Sequence, residues 1–136
     1  MKLTAALGGR AQTVIAAVRD PDHPTARALA DLTHGPGSTL IPVQYDAGSE
    51  QGAADAVAHL RGKHGVDHLD IVVANAGICK QWPLVKDVKR ADILEHFEVN
   101  VLGVVALYQA TRDLLQRSTA NNPIFAPMGS MAGSLG

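Results

Sequence analysis

Cysteine is nearly absent from this chain, which has a single one, Cys79, among its 136 residues. One thiol cannot form an internal disulfide, and this excludes the class of small secreted domains that disulfides hold together. The sequence also contains no Asn-x-Ser/Thr glycosylation site. Both absences are compatible with the reducing cytosol, so we expect a cytoplasmic location.

An excess of one charge is also lacking, since 12 basic residues face 13 acidic ones and leave a net charge of −1. Such a chain has no electrostatic reason to bind nucleic acid or an anionic membrane, and we expect neither as a partner.

Long apolar runs are missing too. The longest stretch without charge, residues 118–136, contains asparagine, proline and glycine, which a membrane-spanning helix would not carry. The apolar part of the N-terminus is too short for a signal peptide.

What remains is a globular composition, with 46% apolar and 18% charged residues in a chain long enough for one domain with a real core. Four short, β-branched runs are continuously apolar, which is typical of strands buried on both faces of a parallel sheet. They cover residues 13–18, 39–43, 69–74 and 123–128. Because Pro42 has no backbone N–H, we expect its strand at an edge of the sheet.

Helical patterns lie between these runs, at residues 24–32, 50–63 and 91–117. Asp22 is a possible cap of the first helix, Ser49 is a good N-cap for the second, and Gly65 supplies its stop. The last helix carries an apolar stripe broad enough to cover a sheet and also to touch another subunit. Alternating strands and helices predict the α/β class with right-handed crossovers.

The third apolar run ends in Ala74, Asn75, Ala76 and Gly77. Ligands of open α/β sheets bind beyond the carboxyl ends of the strands, and small residues there let a cofactor approach the backbone. An asparagine can bond two neighbouring groups at once. The alternative interpretation of the same four residues is a plain turn from strand to loop.

Three segments resemble, in order and in spacing, the short-chain dehydrogenase/reductase family. Residues 69–78 are similar to the strand that ends in the family's Asn-Asn-Ala-Gly segment, with Ala74 in place of the first Asn. Residues 97–103 resemble the helix with the family's active-site Asn, and residues 125–134 resemble the strand and loop with its catalytic Ser. Residues 59–78 are most similar to fungal polyketide ketoreductases of the norsolorinic-acid type.

The resemblance implies an NADP(H)-dependent reduction of a small-molecule carbonyl, or oxidation of an alcohol, with NAD as the other possible cofactor. Asn75, Ala76 and Gly77 would contact the cofactor. Asn100 would hold a water in a proton relay, and Ser130 would place its hydroxyl on the substrate carbonyl. Two alternatives stay open: the Asn100 side chain is satisfied by nearby backbone, and Ser130 is a polar loop residue among glycines.

The resemblance also places two residues at the adenosine end of the cofactor. Arg19 follows the first strand, where the family often has a base that pairs with the 2′-phosphate of NADP, and the planar guanidinium suits phosphate. Asp46 follows the second strand and resembles the Asp that bonds the adenine amine. A solvated loop arginine and a turn or cap residue are the alternatives.

Three histidines, His59, His64 and His68, have a spacing that suggests a metal site. Gly65 interrupts the helix that would align them, and neither a cysteine nor a carboxylate joins them at a ligand offset. We therefore predict no metal site.

The resemblance covers almost the whole chain but only the middle of the family's domain. The glycine-rich phosphate loop is expected upstream of Met1, and the Tyr-x-x-x-Lys pair is expected beyond Gly136. We therefore predict that residues 1–136 form a partial dinucleotide-binding domain. Its α/β fold would be an incomplete Rossmann-type doubly wound parallel sheet that lacks the first, central strand and everything after the fifth. Because the family's tyrosine donates the proton, we expect no reductase turnover from this polypeptide.

Two other functions remain open. One is a non-catalytic interaction module, in which the helix over residues 91–117 pairs with another copy and makes a homo-oligomer. The other is an α/β module that binds the adenosine half of a dinucleotide alone. The substrate itself stays undetermined, because the family's substrate loop follows the missing tyrosine.

Overall fold

The computed structural model describes residues 11–32, 35–80 and 82–130. The chain divides into two compact units, one that ends at Asp46 and one that begins at Ala47. Each unit holds a two-stranded parallel sheet beside helices, so the predicted α/β class and parallel pairing are confirmed. Within the described ranges, no helix is long and apolar enough to cross a membrane.

The first unit contains two strands joined by a short helical segment. Its elements are β1 (Thr13–Val18), α1 (Pro24–Arg27) with a following 3₁₀ turn (Ala28–Asp31), and β2 (Thr39–Gln44). The two strands are in register along their whole length. The helical stretch is shorter in α geometry than predicted, because its second half tightens into the 3₁₀ form.

The cap of α1 differs from the prediction. His23 occupies the N-cap position, and its Nδ1 accepts a hydrogen bond from the Thr25 N–H at 3.3 Å. Asp22, the predicted cap, lies one residue too early. Its carboxylate instead accepts a bond from the Arg27 guanidinium at 3.0 Å, and both side chains are exposed. This exposed ion pair contributes at most about 1 kcal/mol to stability.

β2 is buried on one face. Ile41 and Val43 are buried and Pro42 between them is exposed. Among the described residues β2 pairs with β1 alone, as expected for a strand that contains proline. The prediction that the strands are buried on both faces is wrong here, since β2 alternates like a half-buried strand.

The second unit contains the remaining elements. They are α2 (Gly52–His64), β3 (Ile71–Ala74), a 3₁₀ turn (Val85–Asp87), α3 (Arg90–Phe97), a π-helical turn (Glu98–Leu102), α4 (Gly103–Gln116) and β4 (Ile124–Pro127). β3 and β4 are parallel and fully paired over four residues.

The predicted stop of α2 is confirmed, whereas its predicted N-cap is wrong. Gly65 adopts a left-handed conformation with φ of 64° and ends the helix, which confirms the predicted stop. The helix begins later than expected, with Gln51 at the N-cap position and no side-chain cap bond. Ser49 is therefore not the cap. Its carbonyl accepts from the Gly52 N–H at 3.2 Å and closes a turn just before the helix.

The long helix predicted over residues 91–117 is present, but a π-helical turn interrupts it. A π turn adds one residue, and this rotates every later side chain by about 100° around the helix axis. The predicted apolar stripe is split as a result. Phe97 and Tyr108 are about half exposed, whereas Leu114 and Leu115 are buried.

α4 packs on the sheet of this unit and buries one of its faces. Leu114 is 1% exposed, and its carbonyl accepts from the Leu69 N–H at 3.0 Å just before β3 begins. Val72 is buried, while Ile71 and Val73 on the opposite face are about half exposed. Burial of both faces is therefore not observed for β3 either, because the described helices of this unit cover one side.

The observed pairings match neighbours in the doubly wound strand order 3-2-1-4-5-6. In that numbering, β1 and β2 correspond to the neighbouring strands 2 and 3, and β3 and β4 correspond to the neighbouring strands 4 and 5. A single partial domain over residues 1–136 stays a prediction.

A test of the helix packing compares two glycines. A Cβ at Gly103 would lie 2.5 Å from the Ala47 carbonyl oxygen, whereas a Cβ at Gly62 would meet nothing within 4 Å. We expect Gly103→Ala to lower the free energy of unfolding by about 1–3 kcal/mol, because the backbones must separate. Gly62→Ala, the matched control inside α2, should raise it by about 0.5–1 kcal/mol. Urea denaturation measures both, and equal effects would contradict the close approach.

Candidate cofactor and catalytic site

The carboxyl ends of β3 and β4 form one edge of the second unit. The Met128 N–H donates to the Ala74 carbonyl at 3.0 Å, so the loops after the two strands leave the sheet side by side. The first loop begins with Asn75, Ala76 and Gly77, all exposed. Ligands of parallel sheets bind at such an edge, which is where the sequence predicted the cofactor residues.

Asn100 fastens the loop after β3 to the helix. Its Oδ1 accepts from the Ile78 N–H at 2.8 Å, and its Nδ2 donates to the Ile78 carbonyl at 2.9 Å. The structure thus shows the contact with nearby backbone that sequence analysis left open. Gly77 lies close as well, since a Cβ there would be 3.4 Å from the same Oδ1.

The π-helical turn contains Asn100, in the segment Glu98–Leu102. Asparagine is unfavourable inside a regular helix, because its side chain competes for backbone hydrogen bonds. Here the Asn100 side chain instead bonds the backbone of Ile78, 22 residues earlier in the chain. π turns occur frequently at functional sites, and nothing in the residue pattern signals this one.

A second attachment of the same loop was missed by sequence analysis. The Lys80 N–H donates to His96 Nε2 at 3.3 Å, and His96 Nδ1 bonds the Asp92 carbonyl at 2.6 Å. The Lys80 ammonium also forms an ion pair with Glu95. The available signal was the spacing of 92, 96 and 100, which places three polar positions four residues apart.

Ser130 lies in the loop after β4, two residues past Met128, and its side chain is exposed. Chain connectivity therefore brings Ser130 to the edge from which Asn75 leaves. The catalytic role of Ser130 stays a prediction.

Arg19 and Asp46 belong to the first unit, where Arg19 directly follows β1 and Asp46 lies two residues past the end of β2. The Tyr45 N–H donates to the Val18 carbonyl at 2.8 Å, so the two strand ends are adjacent. The Arg19 carbonyl accepts from Gln44 Nε2 at 3.2 Å. Arg19 and Asp46 are both exposed at this edge, and their roles toward a cofactor stay predictions.

The two tyrosines differ in their surroundings. Burial, and next the neighbouring Asp46 carboxylate, raises the pKa of the Tyr45 phenol above its ordinary value, which makes it harder to ionise. Tyr108 stacks edge-on against Phe125 with ring centroids 5.1 Å apart. Neither has a lysine four residues later, since these positions hold Ser49 and Arg112.

The three histidines considered as metal ligands do not converge. The rings of His59 and His64 have centroids 5.5 Å apart, whereas His68 bonds the Asp67 carboxylate at 2.7 Å. This bond raises the pKa of His68 and lowers that of Asp67. Within the described ranges, there is no group of three or more His, Cys, Asp or Glu side chains that could hold a metal ion.

Comparisons with known proteins agree with this geometry. A family model described as short chain dehydrogenase matches residues 2–136. Short-chain dehydrogenase srdF of Neurospora crassa is 37% identical over 124 residues, which cover 90% of this chain and 48% of that protein. Norsolorinic acid ketoreductase of Aspergillus parasiticus is 42% identical over 106 residues, which cover 78% of this chain and 39% of that protein.

A solved structure adds the fold. The Pseudomonas aeruginosa RhlG/NADP active-site complex superposes with a TM-score of 0.72 at 26% identity, and covers 88% of this chain and 45% of that one. The chain spans less than half the length of these relatives.

The attachment of the loop can be tested by removing the amide. Asn100→Ala leaves the Ile78 N–H and carbonyl without these partners, so we expect the free energy of unfolding to fall by about 1–3 kcal/mol. Amide hydrogen exchange at Ile78 should accelerate in parallel. Asn121→Ala, a change at an exposed loop position, is the control and should stay within about 0.5 kcal/mol. Wild-type stability and exchange in Asn100→Ala would contradict the contact.

Proposed function

Because the chain belongs to the short-chain dehydrogenase/reductase family, we propose that it is part of an NADP(H)-dependent oxidoreductase that reduces a carbonyl or oxidises an alcohol. The carrying observation is the pair of hydrogen bonds from Asn100 to Ile78, which fix the loop that begins at Asn75. A relative named norsolorinic acid ketoreductase supports a ketone as the reacting group. A neighbouring structure with NADP supports that cofactor.

The loop after β3 fits a dinucleotide. Asn75, Ala76 and Gly77 are small or polar, exposed, and lie at the carboxyl edge of the sheet, so a cofactor can approach the backbone closely. A bound nicotinamide would supply hydride chemistry at this edge. The Ser130 hydroxyl would donate a hydrogen bond to the substrate carbonyl and stabilise charge that develops there.

Asn100 has hydrogen-bonding capacity beyond Ile78. A carboxamide has two N–H donors and two acceptor lone pairs, and Ile78 takes one of each. The remaining donor and lone pair can hold a water in a proton relay, as the family resemblance implies. Asn100 would thus act on both the loop and a proton path.

Arg19 and Asp46 would bind the adenosine end of the cofactor. They lie at adjacent strand ends in the first unit, and both are exposed. A guanidinium donates two parallel hydrogen bonds to a phosphate, which favours NADP, with its 2′-phosphate, over NAD. Asp46 would accept from the adenine amine.

The long helix supports a second candidate function, association with another copy of the chain. Phe97, Val105 and Tyr108 are each between 45% and 49% exposed along α3 and α4. Apolar side chains exposed in a row are typical of interaction surfaces. A homo-oligomer in the cytoplasm, acting on a small-molecule substrate, is the state that we propose for the whole protein.

Nucleotide binding tests the proposed adenosine site. We expect Arg19→Ala to weaken adenosine 2′,5′-bisphosphate by about 10- to 100-fold, because a charge-assisted hydrogen bond is worth about 1.5–3 kcal/mol. Adenosine 5′-monophosphate, which lacks the 2′-phosphate, should be unaffected. Isothermal titration calorimetry measures the affinity for each nucleotide. Arg61→Ala, at an exposed position of α2, is the control. Equal loss of both nucleotides would contradict the role of Arg19.

The same titrations distinguish the adenosine-binding module. NADPH that binds no more tightly than the bisphosphate would favour that alternative over a whole-cofactor site.

Turnover tests the proposed proton donor. The 136-residue chain holds no Tyr-x-x-x-Lys pair, and burial raises the pKa of Tyr45, so we expect no NADPH oxidation with a ketone. Absorbance at the nicotinamide band follows the reaction, with Ser130→Ala as the comparison. Oxidation by the wild-type chain that Ser130→Ala abolishes would contradict the prediction.

Sedimentation velocity tests the association. We expect a concentration-dependent dimer that Val105→Glu dissociates, because a carboxylate cannot be buried unpaired in an apolar interface. Ala58→Glu, on the exposed surface of α2, adds the same charge and should leave the dimer intact. A monomer at every concentration would exclude the interaction module.

A further inference from the structure

The second attachment of the loop after β3 depends on one protonation state of a histidine. Its Nδ1 bonds the Asp92 carbonyl at 2.6 Å, and a carbonyl can only accept, so Nδ1 carries a proton. Its Nε2 bonds the Lys80 backbone N–H at 3.3 Å, which can only donate, so Nε2 is unprotonated. Both bonds exist together only when His96 is the neutral Nδ1–H tautomer.

His96 belongs to α3 and joins this helix to the loop after β3. One turn later on the same helix is Asn100, whose amide holds Ile78, two residues before Lys80. The loop is thus fastened twice, at positions 78 and 80. A cavity of about 260 Å³ separates loop from helix, lined by Lys80, Pro83, Val88, Asp92, Ile93 and His96.

We propose that His96 is a positioning residue that, in its neutral form, holds the Lys80 end of the loop and, when protonated, releases it. Protonation places a hydrogen on Nε2, which then faces the Lys80 N–H as a second donor. The bond is lost and the two donors repel each other. Acidification is therefore the change that releases the Lys80 backbone.

Charged groups surround His96 on both the loop and the helix. The loop contributes the Lys80 ammonium, which forms an ion pair with Glu95, and the helix contributes the Asp92 carboxylate. Pro83, Val88 and Ile93 line the remaining cavity and carry no charge.

The consequence for function rests on the proposed function, because the same loop carries Asn75, Ala76 and Gly77. Release of the Lys80 N–H leaves the Asn100 bonds to Ile78 and the Lys80–Glu95 ion pair as the described attachments of the loop. We expect NADPH affinity to be lower at acid pH for this reason. The attachment itself needs no cofactor, so it can be tested on the chain alone.

The experiment is ¹⁵N NMR of the 136-residue chain without nucleotide. At pH 8 we expect the His96 ring to show the Nδ1–H tautomer, with its Nε2 unprotonated. The protection factor of the Lys80 amide, which compares its exchange with that of an unstructured peptide at the same pH, should fall about tenfold by pH 5.5. An Nε2–H tautomer, or equal protection at both pH values, would overturn the proposal.

Variants separate positioning from general stability. His96→Leu should lower Lys80 protection at pH 8 to the wild-type level at pH 5.5, with no further change as the pH falls. His59→Leu, on α2, should keep the wild-type pH profile. A His96→Leu variant that retains this profile would also overturn the proposal. NADPH titration at both pH values is read separately: failure to bind at either pH contradicts the proposed function, while the NMR result alone decides the role of His96.

Discussion

The Asn100 carboxamide makes two hydrogen bonds to the backbone of Ile78, donating from Nδ2 to its carbonyl and accepting at Oδ1 from its N–H. Because both the N–H and the carbonyl of Ile78 are bonded to Asn100, the backbone of Ile78 is fixed against the helix. Near its start, the loop after β3 is therefore held by the Asn100 side chain. The exposure of Asn75 and Gly77 at the sheet edge, and every function proposed for them, depends on this contact.

That contact in turn depends on how the helix lies on the sheet. Gly103 lets α4 approach the Ala47 backbone so closely that a methyl group would not fit. Leu114, almost fully buried, and its carbonyl bond to Leu69 hold the far end of the helix beside β3. Between the two helices, the π turn gives Asn100 its position. The loop is thus fastened to a helix that is itself held by packing.

Much of this fold could be predicted from local pattern. Short apolar runs locate the strands that the structure describes, since burial and side-chain shape act within a few residues. The caps could not be placed, because Asp22 and Ser49 have suitable side chains but lie one and two residues before the observed N-cap positions. The π turn and the partner of Asn100 were also beyond prediction. They arise from contacts between segments 22 residues apart, which no local pattern encodes.

The most direct measurement of the central contact is the NMR scalar coupling across the hydrogen bond from the Ile78 amide nitrogen to the Asn100 side-chain carbonyl carbon. The 2.8 Å bond predicts a detectable coupling in the wild-type chain. A well-resolved Ile78 amide with no coupling to Asn100, and with exchange as fast as in an unstructured peptide, would contradict the account.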